Sequence, residues 1–244
     1  LIWWFPIPRG YLKKIFIASF VANTLQYSIT YSGLNLIDAS AAVLLVQTEV
    51  PFGVIFAYFM LKEKPTIRAL VGIGIAFIGV YILTGSPSLD GKIIGIGLTI
   101  LGSAIWALGQ VVVKPLSKEI NPLALVAWLA LFSGPILIFI SAILDGNTIS
   151  YLSNAKFDHW VIAIYIGLIM QPISYGCFYY VLKNNPLYKV LPIVTMGIPP
   201  TGLLAAIFLL GEKPTQELFT GGALIIVGVI LIVFTKNKNN EVKK

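Results

Sequence analysis

Apolar stretches of about 20 residues, separated by short polar breaks, make up most of this chain. An α-helix needs about 20 apolar residues to cross the hydrocarbon core of a bilayer. The breaks carry Pro, Gly, Asn and Asp, which is typical of turns between helices. The long apolar runs lack the alternation of apolar and polar positions that a transmembrane β-barrel requires. The pattern therefore predicts eight spanning helices, over residues 14–36, 39–61, 67–84, 92–113, 122–144, 160–182, 187–211 and 217–235.

One part of this pattern occurs twice. The stretch Pro51–Val80 corresponds to Pro200–Val229 at a constant offset of 149 residues. Each copy has an apolar run, a Glu-Lys-Pro-Thr turn that begins at Glu63 or Glu212, and a second apolar run with spaced glycines. Because five predicted helices separate the two turns, the second copy is inverted in the membrane. Inverted repeats are typical of secondary transporters, whose substrate site lies near the middle of the bilayer.

The composition excludes a soluble domain. The chain is 57% apolar and only 11% charged, whereas a soluble domain carries about 25% charged residues. The single cysteine, Cys177, excludes a disulfide framework and a thiolate metal site. A net charge of +7 would suggest a nucleic-acid partner for a soluble protein. In a membrane protein the same charge indicates orientation, so we predict no nucleic-acid partner.

The positive charges predict which side of the membrane each loop faces. With the C-terminus in the cytoplasm, only Lys92, Lys156 and Lys213 of the 17 Lys and Arg residues face outward. Positive charge gathers on cytoplasmic loops, so this strong bias favours that orientation. The cytoplasmic residues are Arg9, Lys13, Lys14, Lys62, Lys64, Arg68, Lys114, Lys118, Lys183, Lys189, Lys236, Lys238, Lys243 and Lys244.

The start of the chain differs from that of a secreted protein. It opens at Leu1 within the apolar run LIWWFPIP, without the charged region or cleavage site of a signal peptide. Glu63 has 62 residues before it, whereas 148 residues separate it from Glu212. From the repeat we expect a further stretch, long enough for about two spans of ~20 residues, to precede Leu1 in the complete protein.

The paired motif resembles the drug/metabolite transporter superfamily, specifically its EamA-like transporters. The resemblance rests on the run from Glu49-Val50-Pro51 through Glu63, on the run from Pro199-Pro200 through Glu212, and on the glycines that follow each run. Those glycines are Gly72, Gly79, Gly221 and Gly228.

The resemblance implies an all-α, polytopic integral membrane protein with inverted five-helix repeats, of which this chain shows eight helices of an expected ten. It implies a multi-pass protein of the inner (plasma) membrane with a cytoplasmic C-terminus. Residues 1–85 would form a first repeat that lacks its N-terminal helices, residues 86–235 the second repeat, and residues 236–244 a cytoplasmic tail.

Glu49 is the strongest single candidate for a role in transport. It lies about eleven residues into its predicted helix, near the middle of the bilayer. An ionisable side chain at that depth is costly and is by default a functional candidate. Two interpretations remain open: a carboxylate that binds a proton or cation, or one that is hydrogen-bonded to a neighbouring helix for structure.

Polar residues at helical spacing supply the remaining candidates. The first helix carries Ser19, Asn23, Gln26, Tyr27 and Thr30 on one face, the fourth carries Ser103, Trp106, Gln110 and Lys114, and the sixth carries Gln171, Ser174, Tyr175 and Phe178. Such faces either line a cavity or form interhelical hydrogen bonds, each of which contributes about 0.6 kcal/mol. An amide and aromatic lining suits a small amphipathic solute such as an amino acid. Our candidate substrate-binding residues are Gln26, Tyr27, Glu49, Trp106, Gln110, Gln171 and Tyr175.

The repeated turns and glycines have simpler expected roles. We expect Glu63 and Glu212 to bond local backbone or the adjacent lysine, and Pro65 and Pro214 to begin the next helix, where a missing N–H costs nothing. We expect six glycines to permit close helix packing. They are Gly72, Gly74, Gly79, Gly221, Gly222 and Gly228.

These observations favour a transporter. The sequence has no HExxH, GxSxG or P-loop motif and no cluster of His with carboxylates, so we predict neither an enzyme nor a cofactor or metal. We predict an exporter of small metabolites or drugs that works by alternating access, with coupling to protons if Glu49 titrates. The alternatives are an importer of a nucleotide-derived metabolite and a passive channel or lipid scramblase. The predicted partners are a small-molecule substrate, the lipid bilayer and protons, and a homodimer is left open.

Overall fold

A computed structural model describes residues 9–146, 148–195 and 197–233, and within these ranges the chain forms helices and no strand. We number eight long helices in chain order. They are α1 (residues 12–34), α2 (Ala39–Leu61), α3 (Ile67–Thr84), α4 (Ile93–Glu119), α5 (Pro122–Asp145), α6 (Phe157–Asn184), α7 (Leu187–Leu210) and α8 (Gln216–Val233). A short helix, Thr148–Ser153, lies between α5 and α6.

Four of the long helices are not uniform. Both α1 and α6 contain a π-helical segment, Phe20–Leu25 and Ile166–Met170 respectively. A 3₁₀ segment, Val46–Thr48, divides α2. The last of the four, α7, consists of two consecutive helices, Leu187–Thr195 and Ile198–Leu210.

All eight predicted helices are present in the described ranges, and seven of them are long and apolar enough to cross a membrane. The first, α1, is not among the seven, because its polar side chains lower its mean hydropathy. The predicted break at Ser117–Pro122 is largely wrong, since α4 continues to Glu119. The short helix between α5 and α6 was not predicted. The opening run LIWWFPIP and the tail at 236–244, with its four lysines, lie outside the described residues.

The repeat in the sequence is also a repeat in space. Under the offset of 149 residues, α1 corresponds to α6, α2 to α7 and α3 to α8. The start of α2 lies against the end of α7, and the start of α7 lies against the end of α2, so these two helices are antiparallel. The prediction of inverted repeats is therefore confirmed.

Close contact between backbones holds the helices together. Lipid is as apolar as a leucine side chain, so small residues that let helices approach have a large effect in a membrane protein. One such contact joins α1 to α4, where Gly33, Gly102 and Gly109 face Thr99, Thr30 and Ala22. The largest apolar cluster joins α1 and α4 to α5, α6 and α7, and its fully buried members include Ile15, Leu125, Leu182 and Leu191.

The closest contact of this kind joins α3 to α8. We call it the glycine seam, formed by Gly72, Gly79, Gly221 and Gly228. A Cβ atom on Gly72 would lie 2.5 Å from the carbonyl oxygen of Gly228, and one on Gly79 would lie 2.6 Å from that of Gly221. Unstrained contacts between carbon and oxygen are about 3.3 Å or longer. The predicted role of these four glycines is confirmed.

The other two predicted packing glycines behave differently. Gly222 lies against the side chain of Leu44 in α2, so it supports a different helix pair. A Cβ atom on Gly74 would have no heavy atom within 4 Å. The prediction that Gly74 permits close packing is therefore wrong, because this residue is off the contact face of α3.

Gly74 provides a matched control for a test of the glycine seam. We expect Gly79→Ala to lower the free energy of unfolding by about 1–3 kcal/mol, because the added methyl group overpacks the seam. We expect Gly74→Ala to leave stability unchanged or to raise it by up to about 1 kcal/mol through helix propensity. Thermal unfolding of both variants in detergent measures the difference. Equal melting temperatures for the two variants would contradict the seam.

Candidate functional site

A cavity of about 230 Å³ opens between α1, α5 and α6. Its apolar walls come largely from α5, and its polar lining comes from all three helices. The polar lining residues are Asn23, Tyr27, Ser133, Gln171, Tyr175 and Tyr179. A few convergent polar groups in an apolar pocket are typical of a site for a small molecule.

A second cavity continues along α1. It has a volume of about 350 Å³ and shares Tyr27 with the first. From there it follows Ser28, Tyr31, Ser32 and Asn35 toward the end of α1, opposite the last turns of α5. The two cavities meet at Tyr27 and together extend from the middle of α1 to its end.

Tyr175 is the centre of a polar and aromatic group beside the first cavity. Trp106 of α4 donates from its ring nitrogen to the Tyr175 hydroxyl at 3.5 Å. Tyr27 of α1 and Gln171 of α6 line the same cavity as Tyr175. The Tyr179 ring packs on that of Tyr175 with their centres 5.9 Å apart. The structure thus brings together four of the seven candidate residues from three helices.

Glu49 is buried and lines neither cavity. It begins the last segment of α2 and is 5% exposed. Within the described part of the chain, no residue donates a hydrogen bond to its carboxylate or forms an ion pair with it. Among the described residues, no hydrogen-bond partner therefore supports the interpretation of Glu49 as a structural residue.

The two remaining candidates lie away from the cavity. Gln26 is buried and donates to the Thr30 hydroxyl at 3.0 Å, within its own helix. Gln110 is buried in α4, and its side-chain oxygen has no hydrogen-bond partner among the described residues. Their role in substrate binding stays a prediction that no contact with the cavity supports.

The π-helical segments help to explain which side chains reach the cavity. Each of them ends directly before a glutamine, at Gln26 in α1 and at Gln171 in α6. A π-helical turn holds an extra residue and so rotates the side chains that follow, and such turns often occur at functional sites. In α6 the rotated glutamine lines the cavity. In α1 its neighbour Tyr27 does so instead.

Three polar lining residues were not among the predicted seven. Asn23 belonged to the polar stripe of the first helix, so its position was signalled by spacing. Tyr179 follows Tyr175 by one helical turn, which is also a spacing signal. Ser133 has apolar neighbours in α5 and forms no periodic stripe of polar residues, so the sequence did not indicate it. It accepts a hydrogen bond from the Asn23 amide at 3.3 Å, which holds the two helices together at the cavity.

Each Glu-Lys-Pro-Thr turn contacts the start of a distant helix. The two carboxylate oxygens of Glu212 accept hydrogen bonds from the backbone N–H groups of Ala39 and Ser40, both at 2.9 Å. Those of Glu63 accept from Leu187 and Tyr188, at 3.1 and 3.3 Å. The expectation that these glutamates bond local backbone or the adjacent lysine is wrong. We call the two contacts the Glu212 cap and the Glu63 cap.

The backbone conformation of each turn directs its carboxylate toward the start of the distant helix. The Glu63 N–H donates to the Ala57 carbonyl and the Glu212 N–H to the Ala206 carbonyl, each at 3.1 Å. The preceding residue is left-handed in both turns, with φ of 58° at Lys62 and 69° at Gly211. A left-handed residue at this position is a common way for a helix to end.

The prolines of the turn lie outside the following helices. Ala69 N–H donates to the Thr66 hydroxyl, and Leu218 N–H donates to the Thr215 hydroxyl, each at 3.4 Å. A threonine that accepts in this way is an N-cap. The prediction that Pro65 and Pro214 begin the helices is therefore wrong, because each lies one residue before the cap.

The two caps differ in their charged neighbours. Glu63 forms an ion pair with Lys114 of α4, and these side chains are only 13% and 9% exposed. Near Glu212, Lys92 bonds Asp38 at 2.9 Å in a pair whose side chains are 34% and 39% exposed. Partial burial acts to raise the pKa of Glu212, but hydrogen bonds from Ser40 and Ala39 and the charge of Lys92 together hold that pKa below its ordinary value.

The sequence profile of the EamA-like transporter family matches residues 1–85 and 93–234 of this chain. A "Probable amino-acid metabolite efflux pump" of Escherichia coli (strain K12) is 29% identical over 229 residues, which cover 89% of this chain and 75% of that protein. A protein of the same name from Salmonella typhimurium (strain LT2) is 31% identical over 221 residues, which cover 86% and 72%. A solved crystal structure superposes with a TM-score of 0.66 at 15% identity, over 95% of this chain and 78% of that one, and so shares the fold.

The lowered pKa of Glu212 predicts how the stability of this cap depends on pH. We expect Glu212→Gln to lower the free energy of unfolding at pH 7 by about 1 kcal/mol, since the amide offers one acceptor oxygen in place of two. A carboxyl whose pKa is lower in the folded state stabilises fully above its unfolded pKa, about 4.3. That stabilisation is lost as the pH falls through the lowered pKa.

Melting temperatures from pH 7 to pH 3 test this dependence. The difference between the wild-type protein and Glu212→Gln should shrink toward the acid end. The exposed Glu119 provides a control, because Glu119→Gln should differ little from wild type over the whole range. A wild-type advantage over Glu212→Gln that persists undiminished to pH 3 would contradict the carboxylate cap.

Proposed function

The chain belongs to the EamA-like transporter family, and from that premise we propose that it exports small metabolites or drugs, amino acids among them, across the plasma membrane. The observation that carries this proposal is the cavity between α1, α5 and α6, with its amide and hydroxyl lining. Relatives named as amino-acid metabolite efflux pumps support the same direction and class of substrate.

The chemistry of the cavity suits a small solute with both polar and apolar parts. The amides of Asn23 and Gln171 and the hydroxyls of Ser133 and Tyr175 can each donate and accept hydrogen bonds. These groups can therefore hydrogen-bond both the ammonium and the carboxylate of an amino acid. The apolar wall of α5 and the tyrosine rings provide contact for its side chain.

Alternating access is the mechanism that the architecture supports best. We assign residues 1–85 and 86–235 to the two inverted repeats and residues 236–244 to a cytoplasmic tail. Because equivalent helices of the two repeats run in opposite directions, equivalent movements would open the path toward opposite sides of the membrane. The distribution of Lys and Arg favours a cytoplasmic C-terminus. In that orientation the Glu63 turn faces the cytoplasm and the Glu212 turn faces outward.

Glu49 is our candidate for coupling to protons. It is a buried carboxyl group in α2, with no hydrogen bond or ion pair to another described residue. A carboxyl group in such a place can take up a proton on one side of the membrane and release it on the other as its surroundings change.

Tyr175→Phe tests the cavity. The variant loses the hydroxyl that accepts from Trp106 beside the cavity, so we expect counterflow of a radiolabelled amino acid to fall about two- to tenfold, the effect of one lost hydrogen bond. The measurement uses proteoliposomes that carry the full-length protein. Tyr180→Phe is the matched control, since Tyr180 lies on the same helix and is 67% exposed. Equal transport by the two variants would count against this cavity as the substrate site.

Glu49→Gln tests the coupling. In the same proteoliposomes we expect it to abolish uptake driven by a pH gradient, because the amide cannot exchange a proton, while the protein remains folded by its melting curve. The exposed Glu119 again provides the control, and Glu119→Gln should retain the response. Unchanged pH-driven transport by Glu49→Gln would refute the coupling role.

A further inference from the structure

The Glu63 cap and the Glu212 cap lie at opposite ends of one pair of helices. Because α2 and α7 are antiparallel, the Glu63 cap joins the end of α2 to the start of α7, and the Glu212 cap joins the end of α7 to the start of α2. In each cap the carboxylate belongs to one repeat and the N–H groups belong to the other. Separation of the two repeats at either end therefore requires one cap to break.

An ion pair between the repeats reinforces each cap. At one end Lys114 of the second repeat pairs with Glu63 of the first. At the other end Lys92 of the second repeat pairs with Asp38 of the first. Both ends of the α2–α7 pair are thus closed by the same two kinds of contact, a carboxylate on a helix N-terminus and a Lys–carboxylate pair.

The middle of the same helix pair holds a contact that does not depend on either cap. The Gln47 amide of α2 donates to the Thr195 carbonyl of α7 at 3.4 Å. Both residues lie where their helices depart from regular α-structure, in the 3₁₀ segment of α2 and at the end of the first part of α7. Such departures allow a helix to bend. The pair can therefore open at one end while the middle and the other end stay together.

We propose that the Glu63 cap and the Glu212 cap are the two gates of the transporter: each holds the two repeats together at one end of the α2–α7 pair, and the two caps break in turn. This inference rests on the proposed alternating access. Glu63 and Glu212 are positioning residues in this scheme, since they hold helix ends in place and need not touch the substrate.

The chemistry of a cap suits a contact that opens and closes repeatedly. A carboxylate with two backbone N–H groups forms strong, directional hydrogen bonds when the gate is shut. When the gate opens, water can hydrate both the carboxylate and the freed helix N-terminus. Hydration then offsets much of the free energy of the broken hydrogen bonds. The start of a membrane helix needs some such partner, because its first N–H groups have none within the helix.

Cysteine reporters at equivalent positions test the two gates separately. Ala57 and Ala206 correspond under the repeat offset, lie one turn or more before Glu63 and Glu212, and are 0% and 1% exposed. We would introduce Ala57→Cys or Ala206→Cys into full-length protein that carries Cys177→Ser. Reaction rates with a bulky, water-soluble maleimide are then measured in nanodiscs, where both faces are accessible.

The expected result is specific to one end. Glu63→Gln should raise the labelling rate at position 57 about tenfold, the change in an equilibrium that corresponds to about 1.4 kcal/mol, and leave position 206 unchanged. Glu212→Gln should do the reverse. No change with either variant, a rise at the same reporter with both, or a rise at both reporters with each would overturn the proposal. So would a comparable rise with the control Glu119→Gln.

Two features keep the test decisive. If Glu63→Gln is not monodisperse on size exclusion, Glu63→Asp replaces it: the charge remains, but the shorter side chain cannot reach both N–H groups, and the same end-specific rise is expected. Absence of that rise overturns the proposal.

Labelling also requires no substrate. Failed counterflow with end-specific labelling would refute the proposed function alone, whereas normal counterflow without end-specific labelling would refute the gates alone.

Discussion

The first backbone N–H groups of a helix have no partner within that helix, and near the hydrocarbon region of a membrane water does not readily supply one. In this protein the start of α2 and the start of α7 both meet this constraint with a carboxylate from the opposite repeat, Glu212 and Glu63 respectively. The hydrogen bonds that these helix starts need thus also connect the two halves of the molecule. Each repeat thus supplies the hydrogen-bond partner for a helix start of the other.

The glycine seam also joins the two repeats, but through a different kind of contact. The caps connect helix ends with charge, whereas Gly72, Gly79, Gly221 and Gly228 connect α3 and α8 along their length by removing side chains from the contact. Backbones this close leave little freedom for one helix to slide or rotate on the other. The seam therefore supplies a fixed frame beside the α2–α7 pair, whose two ends are joined by polar contacts that water can replace.

Hydropathy predicted the helices and the inverted repeat, because the need for about 20 apolar residues is imposed by the bilayer itself. It failed at the end of α4, where Lys118 and Glu119 are polar but form helix well in water. Sequence also marked Glu63 and Glu212 as paired positions without indicating their partners. Those partners are backbone N–H groups more than 120 residues away, and a backbone group has no sequence signature. For the cavity, spacing identified Tyr27, Gln171 and Tyr175, but a π-helical turn shifts the face that follows it. Spacing could not identify Ser133, because the other serine of α5, Ser141, lies eight positions away.

The ion pairs at the two ends are not equivalent. The pair between Lys114 and Glu63 is buried, whereas the pair between Lys92 and Asp38 is open to solvent. Dissolved salt screens the second pair strongly and the first pair weakly. The electrostatic work of parting the two repeats therefore depends on ionic strength at one face of the membrane far more than at the other. The two ends of the α2–α7 pair, which share the same kind of backbone hydrogen bond, thus differ in their response to dissolved salt.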